Sequence, residues 1–247
     1  VIGDATHALF DATTTFWLMY ATRLSLKPPD QAHTYGHEKI ETLGGQFGGI
    51  ALLATALLLF YLSVSRLLEG STLSIELTPF ALFAVVYTMA VDIFRMKILS
   101  KVGGYSLSAK AGFFHAIADF SSTLVALFGV GSASLGFIYG DALSSLVLSF
   151  FLALLSLRLT YRASLELSDV VSEGDYRAVK SLLEGLEGVK GIKDRRMRTA
   201  GARHYIDATI LLSPSIDVEK AHGVASLVEE KTRKLLRNAT VTIHCEP

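Results

Sequence analysis

Residues 107 to 131 read LSAKAGFFHAIADFSSTLVALFGVG, an apolar run in which His115 and Asp119 stand four positions apart. A run of this length suffices for a helix that crosses a bilayer. On a helix, residues four apart point to the same face, about one turn from each other. An ionisable residue at mid-bilayer costs roughly 2.5 kcal/mol or more unless it is paired, hydrated or bound to an ion. The pair therefore indicates a functional site inside a membrane.

The same spacing recurs near the start of the chain, where the segment from His7 to Asp11 reads HALFD. Two such helix faces can close one site with two imidazoles and two carboxylates, a donor set that suits zinc and tolerates other divalent transition metals. Both ligand types also bind protons, so metal loading releases protons and acid releases metal. The alternative is a hydrogen-bonded network that packs the helices without an ion. The pattern favours a metal transport site of His7, Asp11, His115 and Asp119.

The composition of the whole chain is typical of a membrane protein. Hydrophobic residues make up 51% and charged residues 19%, and the mean hydropathy is +0.43. A formal net charge of zero gives no sign of a nucleic-acid partner. The single cysteine, Cys245, excludes an internal disulfide framework. Five apolar runs are long enough to span a bilayer, and they predict spans at about residues 1–26, 42–65, 79–99, 107–131 and 138–160.

Basic residues predict the orientation of these spans. Connections rich in lysine and arginine tend to be cytoplasmic. Around alternate connections the basic residues are Lys27, Lys39, Arg95, Lys97, Lys101, Lys110, Arg158 and Arg162. This distribution places Val1 on the outer side and the C-terminal part in the cytoplasm. One additional helix before Val1 would make six spans and return the N-terminus to the cytoplasm.

From about residue 163 the sequence becomes mixed and charged. We therefore expect a transmembrane domain at 1–162 and a small cytoplasmic α+β domain at 163–247. The elements predicted in the second domain are a helix at 174–187, a strand at 203–212, a helix at 217–237 and a strand at 239–245.

A second polar cluster lies in the first cytoplasmic connection, where Asp30, His33 and His37 fall within eight residues. One carboxylate and two imidazoles can bind a divalent ion at the membrane surface. The alternative is an ordinary solvated loop. The run HEKIE, from His37 to Glu41, has glutamate where a zinc protease needs its second histidine, which excludes that class.

A third candidate set lies in the soluble part and consists of His222, His244 and Glu246. Packing of the last strand against a helix would bring these side chains together. Ordinary surface histidines are the alternative.

Together these motifs make the chain resemble the cation diffusion facilitators, a family of proton-driven transporters of zinc and other divalent metals. The resemblance rests on the two His-x-x-x-Asp pairs, on the loop Asp-x-x-His-x-Tyr-Gly-His from Asp30 to His37, and on the ending Ile-His-Cys-Glu-Pro. It begins within the family's second membrane helix and covers essentially the whole chain. It implies a six-helix bundle whose first helix is missing here, a metallochaperone-like αββαβ cytoplasmic domain, a homodimer and alternating access.

The resemblance also assigns site residues. The transport-site ligands it implies are His7, Asp11, His115 and Asp119; the loop site of some bacterial members matches Asp30, His33 and His37; and part of a cytoplasmic site matches His222, His244 and Glu246. Lys193 and Thr209 stand at two further positions where such members have histidine. Because a lysine repels a nearby cation, the cytoplasmic site is expected to be incomplete.

The expected function is proton-coupled efflux of zinc across the plasma membrane, since histidine-first pairs resemble members that prefer zinc to cadmium. Iron, cadmium, cobalt, nickel and manganese are alternatives as the main substrate. A membrane-bound metal sensor that binds metal without transport is an alternative of another class. The expected partners are divalent metal ions, protons, the lipid bilayer and a second copy of the chain. No enzymatic activity, no nucleic-acid partner and no cofactor beyond the transported ion are expected.

Overall fold

The computed structural model describes residues 2–69, 79–102, 107–134 and 139–247. Some side chains within these ranges lie outside the description, namely those of residues 2–11, 69, 79–82, 84, 102, 126, 129–131, 133–134 and 141. The side chains of His7 and Asp11 are among them, although their helix is described. The chain folds into two compact units, Val1–Ala163 and Ser164–Pro247. The boundary predicted from the sequence lies one residue earlier.

Five long helices build the described part of the N-terminal unit. They are α1 (Ile2–Ser25), α2 (Lys39–Glu69), α3 (Pro79–Val102), α4 (Leu107–Ser134) and α5 (Gly140–Leu167). Each predicted span falls on one of them, and α2 to α5 continue further at their C-terminal ends, because helical hydrogen bonding does not stop where an apolar run meets polar or charged residues. Residues 1 and 138, at the edges of two predicted spans, lie outside the described residues. Among the described residues, Lys39–Leu68 and Ala142–Leu167 are long and apolar enough to cross a membrane.

Helix α4 is the central packing element of this unit. It packs against α1, α2 and α3, and α1 also packs against α2. A core cluster joins Leu52 of α2, Ala118 of α4 and Leu152 of α5, all of them buried. The helix that carries His115 and Asp119 is therefore in contact with the helix that carries His7 and Asp11.

Glycines on α2 allow this close approach of helices. A Cβ atom added to Gly48 would lie 2.7 Å from the Cβ of Ala111 on α4, and one added to Gly49 would lie 2.5 Å from Oγ1 of Thr160 on α5. Carbon atoms in favourable contact are about 3.5–4.0 Å apart, so these positions have no room for a larger residue. Small residues at helix contacts are the usual means of tight packing within a membrane.

The C-terminal unit has the order αββαβ that the family resemblance implies. After the end of α5 come α6 (Glu173–Glu184), β1 (Gly191–Ala200), β2 (Arg203–Leu211), α7 (Val218–Leu235) and β3 (Ala239–Glu246). The sheet order is β1-β2-β3, with β1 antiparallel and β3 parallel to β2. Residue patterning alone does not predict β1, because an edge strand that reads KDRR at residues 193–196 shows no clear apolar alternation.

One apolar core holds this unit together. Its fully buried members include Val179 and Leu183 of α6, Ile206 and Ile210 of β2, and Val228 of α7. Both helices thus cover the same side of the sheet, and each N-terminus is capped by a side chain. Ser172 accepts a hydrogen bond from the backbone of Asp175, and Asp217 accepts one from the backbone of Lys220.

Candidate metal centre

His115 and Asp119 lie one helical turn apart on α4. His115 is buried, and its Nε2 atom lies 3.1 Å from the carbonyl oxygen of Gly48 on α2. A carbonyl oxygen can only accept, so Nε2 donates this hydrogen bond. In the neutral imidazole the metal-binding lone pair is then on Nδ1. The Gly48 carbonyl therefore orients the ring in the way that outer hydrogen bonds orient metal-binding histidines.

The carboxylate of Asp119 is paired with a cation from a third helix. Nη1 of Arg95, on α3, donates to Oδ2 of Asp119 at 2.9 Å. The same nitrogen donates to Oδ1 of Asp92, one turn earlier on α3, at 3.1 Å. The structure thus adds Arg95 and Asp92 to the surroundings of the predicted transport site.

Sequence reasoning missed these two residues. It counts Arg95 only as one of the basic residues near a cytoplasmic connection, at the end of the predicted span 79–99, whereas the structure places its guanidinium against a carboxylate on α4. The available signal is the pair Asp92 and Arg95, three positions apart in an otherwise apolar run. Such a pair predicts a local ion pair on a helix, but the spacing carries no information about Asp119.

The other half of the predicted transport site lies on α1. His7 and Asp11 are four positions apart within this helix, which places both residues on one helix face. Their side chains lie outside the described residues. The closure of a four-ligand site with His115 and Asp119 therefore remains a prediction, consistent with the contact between α1 and α4.

The loop cluster of Asp30, His33 and His37 is assembled in the structure. Oδ1 of Asp30 lies 3.3 Å from Nδ1 of His33, and Oδ2 of Asp30 lies 3.3 Å from Nε2 of His37. One ligand atom from each of the three residues lies within 4.8 Å of the other two. In a tetrahedral zinc site with bonds of about 2.0–2.1 Å, ligand atoms are about 3.4 Å apart. The donor types therefore suit zinc, and the distance from Asp30 to each histidine is close to this value.

Local turn chemistry explains why these three residues meet. Oδ1 of Asp30 accepts hydrogen bonds from the backbone nitrogens of Ala32 and His33, at 2.9 and 2.6 Å, which folds the chain back on itself. Gly36 then adopts a φ of +98°, a conformation that other residues rarely adopt. The next residue, His37, precedes α2, and the centroids of the two imidazole rings are 4.3 Å apart.

Electrostatics and burial divide the cluster into two parts. The backbone hydrogen bond from His33 to Asp30 is the main cause that lowers the pKa of this carboxyl, so it stays ionised and available to a cation. Asp30 and His33 are exposed, whereas His37 is buried. Nδ1 of His37 is buried and has no hydrogen-bond partner among the described residues. Such an arrangement gives a cation a route from solvent and one fixed ligand.

The structure does not bring His222, His244 and Glu246 together in the same way. Among the described residues, Asp30, His33 and His37 are the group of three or more ligating side chains with ligand atoms within 4.8 Å. Nε2 of His244 lies 3.8 Å from Oε1 of Glu246, but the other oxygen of Glu246 pairs with Nζ of Lys193. His222 lies on the exposed surface of α7.

Lys193 and Thr209 do stand beside His244 in the sheet. Thr209 of β2 is paired with His244 of β3, and Lys193 lies at an irregularity of β1 next to Asp194, which is the partner of Thr209. Lys193, Thr209 and His244 are therefore neighbours in the sheet, as the family resemblance implies. The ammonium group of Lys193, however, is already paired with the carboxylate of Glu246. The donor set at this end of the sheet is poor for a cation.

Comparison with family models covers nearly the whole chain. A model described as the cation efflux transmembrane domain matches residues 1–168, and one described as the cytoplasmic domain of cation efflux proteins matches residues 171–247.

Curated relatives and solved structures were also found. Metal tolerance protein C1 of Arabidopsis thaliana is 30% identical over 274 residues, which cover 100% of this chain and 56% of the plant protein. The cation-efflux pump FieF of Klebsiella pneumoniae strain 342 is 24% identical, with 100% of this chain and 83% of the pump covered. The probable cation efflux system protein Rv2025c of Mycobacterium tuberculosis is 28% identical, with 99% and 74% covered. A solved structure of the MamM C-terminal domain matches 30% of this chain and 95% of that domain, with 24% identity and a TM-score of 0.29.

Proposed function

Since the chain belongs to the cation efflux family, the cation diffusion facilitators, we propose that it exports zinc from the cytoplasm in exchange for protons. Its architecture is a multi-pass helical membrane domain followed by a small cytoplasmic α+β domain. The chain spans about half the length of the plant relative, 56%, and more of the bacterial ones. Substrate, coupling and partners are therefore proposed from this chain's own residues.

The observation that carries the proposal is the contact between α1 and α4. Each of these helices has a histidine and an aspartate on one face, four positions apart. Apolar sequence surrounds both pairs, so ionisable groups there are costly unless they are paired or bind an ion. Two imidazoles and two carboxylates match the ligand preference of zinc better than that of calcium or magnesium, which favour oxygen.

Proton exchange follows from the same ligands. Zinc binds neutral histidine and ionised carboxylate, so an incoming ion displaces protons and an acidic outer side returns them. In the proposed cycle zinc enters from the cytoplasm, the bundle rocks, and zinc leaves outward as protons return to the site. A site without thiolate ligands holds zinc loosely enough to release it.

The loop cluster is proposed as a second zinc site, outside the spanning segments. Its support is the 3.3 Å spacing of donors between Asp30 and each of His33 and His37. A site of this kind would hold zinc in the loop that precedes α2. It would thereby raise the concentration of zinc near the helix bundle.

A homodimer in the plasma membrane completes the proposal. The C-terminal unit, Ser164–Pro247, is large enough to fold, and pairing with a second copy would bury more of its surface and add to its stability. The support for pairing is the match of residues 171–247 to the family's cytoplasmic domain.

Zinc accumulation in proteoliposomes tests this function. Protein with the cytoplasmic domain facing the buffer should take up zinc continuously when the vesicle interior is acidic, and far more slowly without the gradient. The same preparation tested with iron, cadmium, cobalt, nickel and manganese gives the order of preference. Zinc uptake that no pH gradient affects would contradict proton coupling, and a faster flux of another metal would contradict the choice of zinc.

The loop cluster also fits a second function, a metal sensor that does not transport, because its ligands are preassembled and accessible. A sensor would bind a fixed number of zinc ions per chain and then stop, whatever the gradient. Uptake that exceeds the number of binding sites many times excludes the sensor.

A further inference from the structure

One nitrogen atom of Arg95 bridges two carboxylates on different helices. Nη1 lies 2.9 Å from Oδ2 of Asp119 on α4 and 3.1 Å from Oδ1 of Asp92 on α3. The side chains are 31% exposed for Arg95, 25% for Asp119 and 8% for Asp92. The guanidinium therefore occupies one face of a carboxylate that the proposed function assigns to zinc.

Arg95 cannot leave this carboxylate by losing its charge. A guanidinium stays protonated in proteins, whereas a histidine could become neutral. A divalent ion that approaches Asp119 meets a fixed positive charge at hydrogen-bond distance from its ligand, so the two cations compete for one carboxylate. Either the ion stays out of the site, or the guanidinium moves away from Asp119.

Asp92 gives the guanidinium a place to move to. Because Nη1 already contacts both carboxylates, Arg95 can give up Asp119 and keep an ionic partner on its own helix. A charge left without a partner in these surroundings would be costly. The transfer therefore needs a short movement of one side chain rather than a displacement of α3.

We propose that Arg95 is an internal cation that competes with the transported metal ion, pairing with Asp119 when the site is empty and with Asp92 when the site is loaded. This inference rests on the proposed function of Asp119 as a metal ligand. It assigns α3 a direct part in the site, beside α1 and α4. Arg95 acts through Asp119 and is a positioning residue, which weakens binding and thereby aids release of the ion.

Zinc affinity of the full chain in detergent, measured by competition with a fluorescent zinc chelator, tests the inference. The transport-site component is the binding that Asp119→Asn removes. Arg95→Gln removes the competing charge, so zinc should bind at this component about tenfold more tightly, the effect that one nearby charge has on a carboxylate. Arg95→Lys keeps the charge, so its affinity should stay close to that of the unsubstituted protein.

Asp92→Asn is expected to act in the opposite direction. Without the second carboxylate, Arg95 is left with Asp119 alone, and zinc should bind more weakly. In the Arg95→Gln background the Asp92→Asn change should have little effect, because no guanidinium remains to be moved. A purely structural role of the ion pair predicts weaker binding or loss of folding for both single variants.

Two outcomes would overturn the inference. One is zinc affinity that is unchanged or lower in a folded Arg95→Gln protein; the other is a tightening that persists when Asp119→Asn is also present. If Arg95→Gln does not fold, the double variant of Arg95→Gln with Asp92→Asn decides: zinc affinity no higher than that of the unsubstituted protein overturns the inference. If Asp119→Asn removes no component of zinc binding, the proposed transport site itself is contradicted, so the two failures are distinguishable.

Discussion

A single backbone conformation decides where the two imidazoles of the loop cluster lie. Gly36 has a φ of +98°, and the turn it makes places His37 beside His33, with ring centroids 4.3 Å apart. Helix α2 begins at Lys39, two residues after His37. The proposed metal site of this loop is therefore built from local turn geometry rather than from contacts distant in sequence.

Replacing His37 with alanine is expected to reduce bound zinc by about one ion per chain, since two remaining protein ligands hold zinc poorly. The matched control is His204→Ala, a histidine on β2 that lies outside any described ligand cluster. Metal content after dialysis, measured by mass spectrometry, checks the prediction. Equal zinc content in the two variants would show that the loop cluster is only a solvated turn.

The backbone of the loop can be tested separately from its ligands. Gly36→Ala forces a side chain into the left-handed region, at a cost of about 1–2 kcal/mol. The variant keeps all three ligand residues, but the strained turn should weaken zinc binding at the loop. Gly174→Ala on α6, where an added Cβ meets nothing closer than 3.9 Å, is the control. Titration of zinc against each variant measures the difference, and equal affinity would contradict the role of Gly36.

At the residue scale, the sequence predicts local groupings well and contacts between elements poorly. The faces of α1 and α4 follow from helical periodicity, and the cluster of Asp30, His33 and His37 lies within eight residues. The pairing of Arg95 with Asp119 joins positions 24 apart on two helices, and no spacing rule reports such a distance. His222 and His244 illustrate the reverse case, since the resemblance groups them with Glu246 but the three form no ligand cluster among the residues that the structure describes.

Among the helices, packing between α2 and α4 also sets the position of a predicted ligand. Gly48 contributes twice: its missing side chain admits Ala111, and its carbonyl oxygen accepts the hydrogen bond from His115. A change in the distance between α2 and α4 therefore moves the imidazole. Stability and site geometry are coupled at this helix contact.

Gly48→Ala is expected to lower the stability of the membrane unit by about 1–3 kcal/mol, because the added methyl group overpacks the contact. It should also weaken zinc binding through His115. Gly223→Ala on α7 is the control, since an added Cβ there meets nothing within 4 Å and alanine favours a helix by about 1 kcal/mol. Thermal unfolding of both variants in detergent measures the effect; equal melting temperatures would contradict this account of the packing.

Element prediction succeeds where burial is one-sided and regular. The five long helices, α6, β2, α7 and β3 follow from apolar patterns. Strand β1 does not, because it is an edge strand whose residues 193–196 carry four charges. Its existence depends on pairing with β2, which local patterning does not report, and it enters the sequence-based prediction only through the family resemblance.

For the whole molecule, the described residues support a specific number of zinc ions per chain. The transport site and the loop cluster are the two proposed sites, and Lys193 with its partner Glu246 occupies the end of the sheet where a third is expected from the resemblance. Two ions per chain are therefore the number expected from the residues that the structure describes.

The double variant His222→Ala with His244→Ala should leave zinc content unchanged, because these residues form no ligand cluster among the residues that the structure describes. The His37→Ala chain, measured in the same series, provides the positive control. Loss of a zinc ion from the double variant would show that the C-terminal unit binds metal in spite of Lys193.

The central claim is that zinc crosses the membrane through the site that includes Asp119. Its most direct test is zinc flux into proteoliposomes under an imposed pH gradient, with Asp119→Ala beside the control Glu187→Gln, an exposed residue between α6 and β1. Asp119→Ala should reduce the flux to that of protein-free vesicles while the protein elutes at its usual size, and the control should transport normally. Gradient-driven flux that persists in Asp119→Ala would contradict the claim.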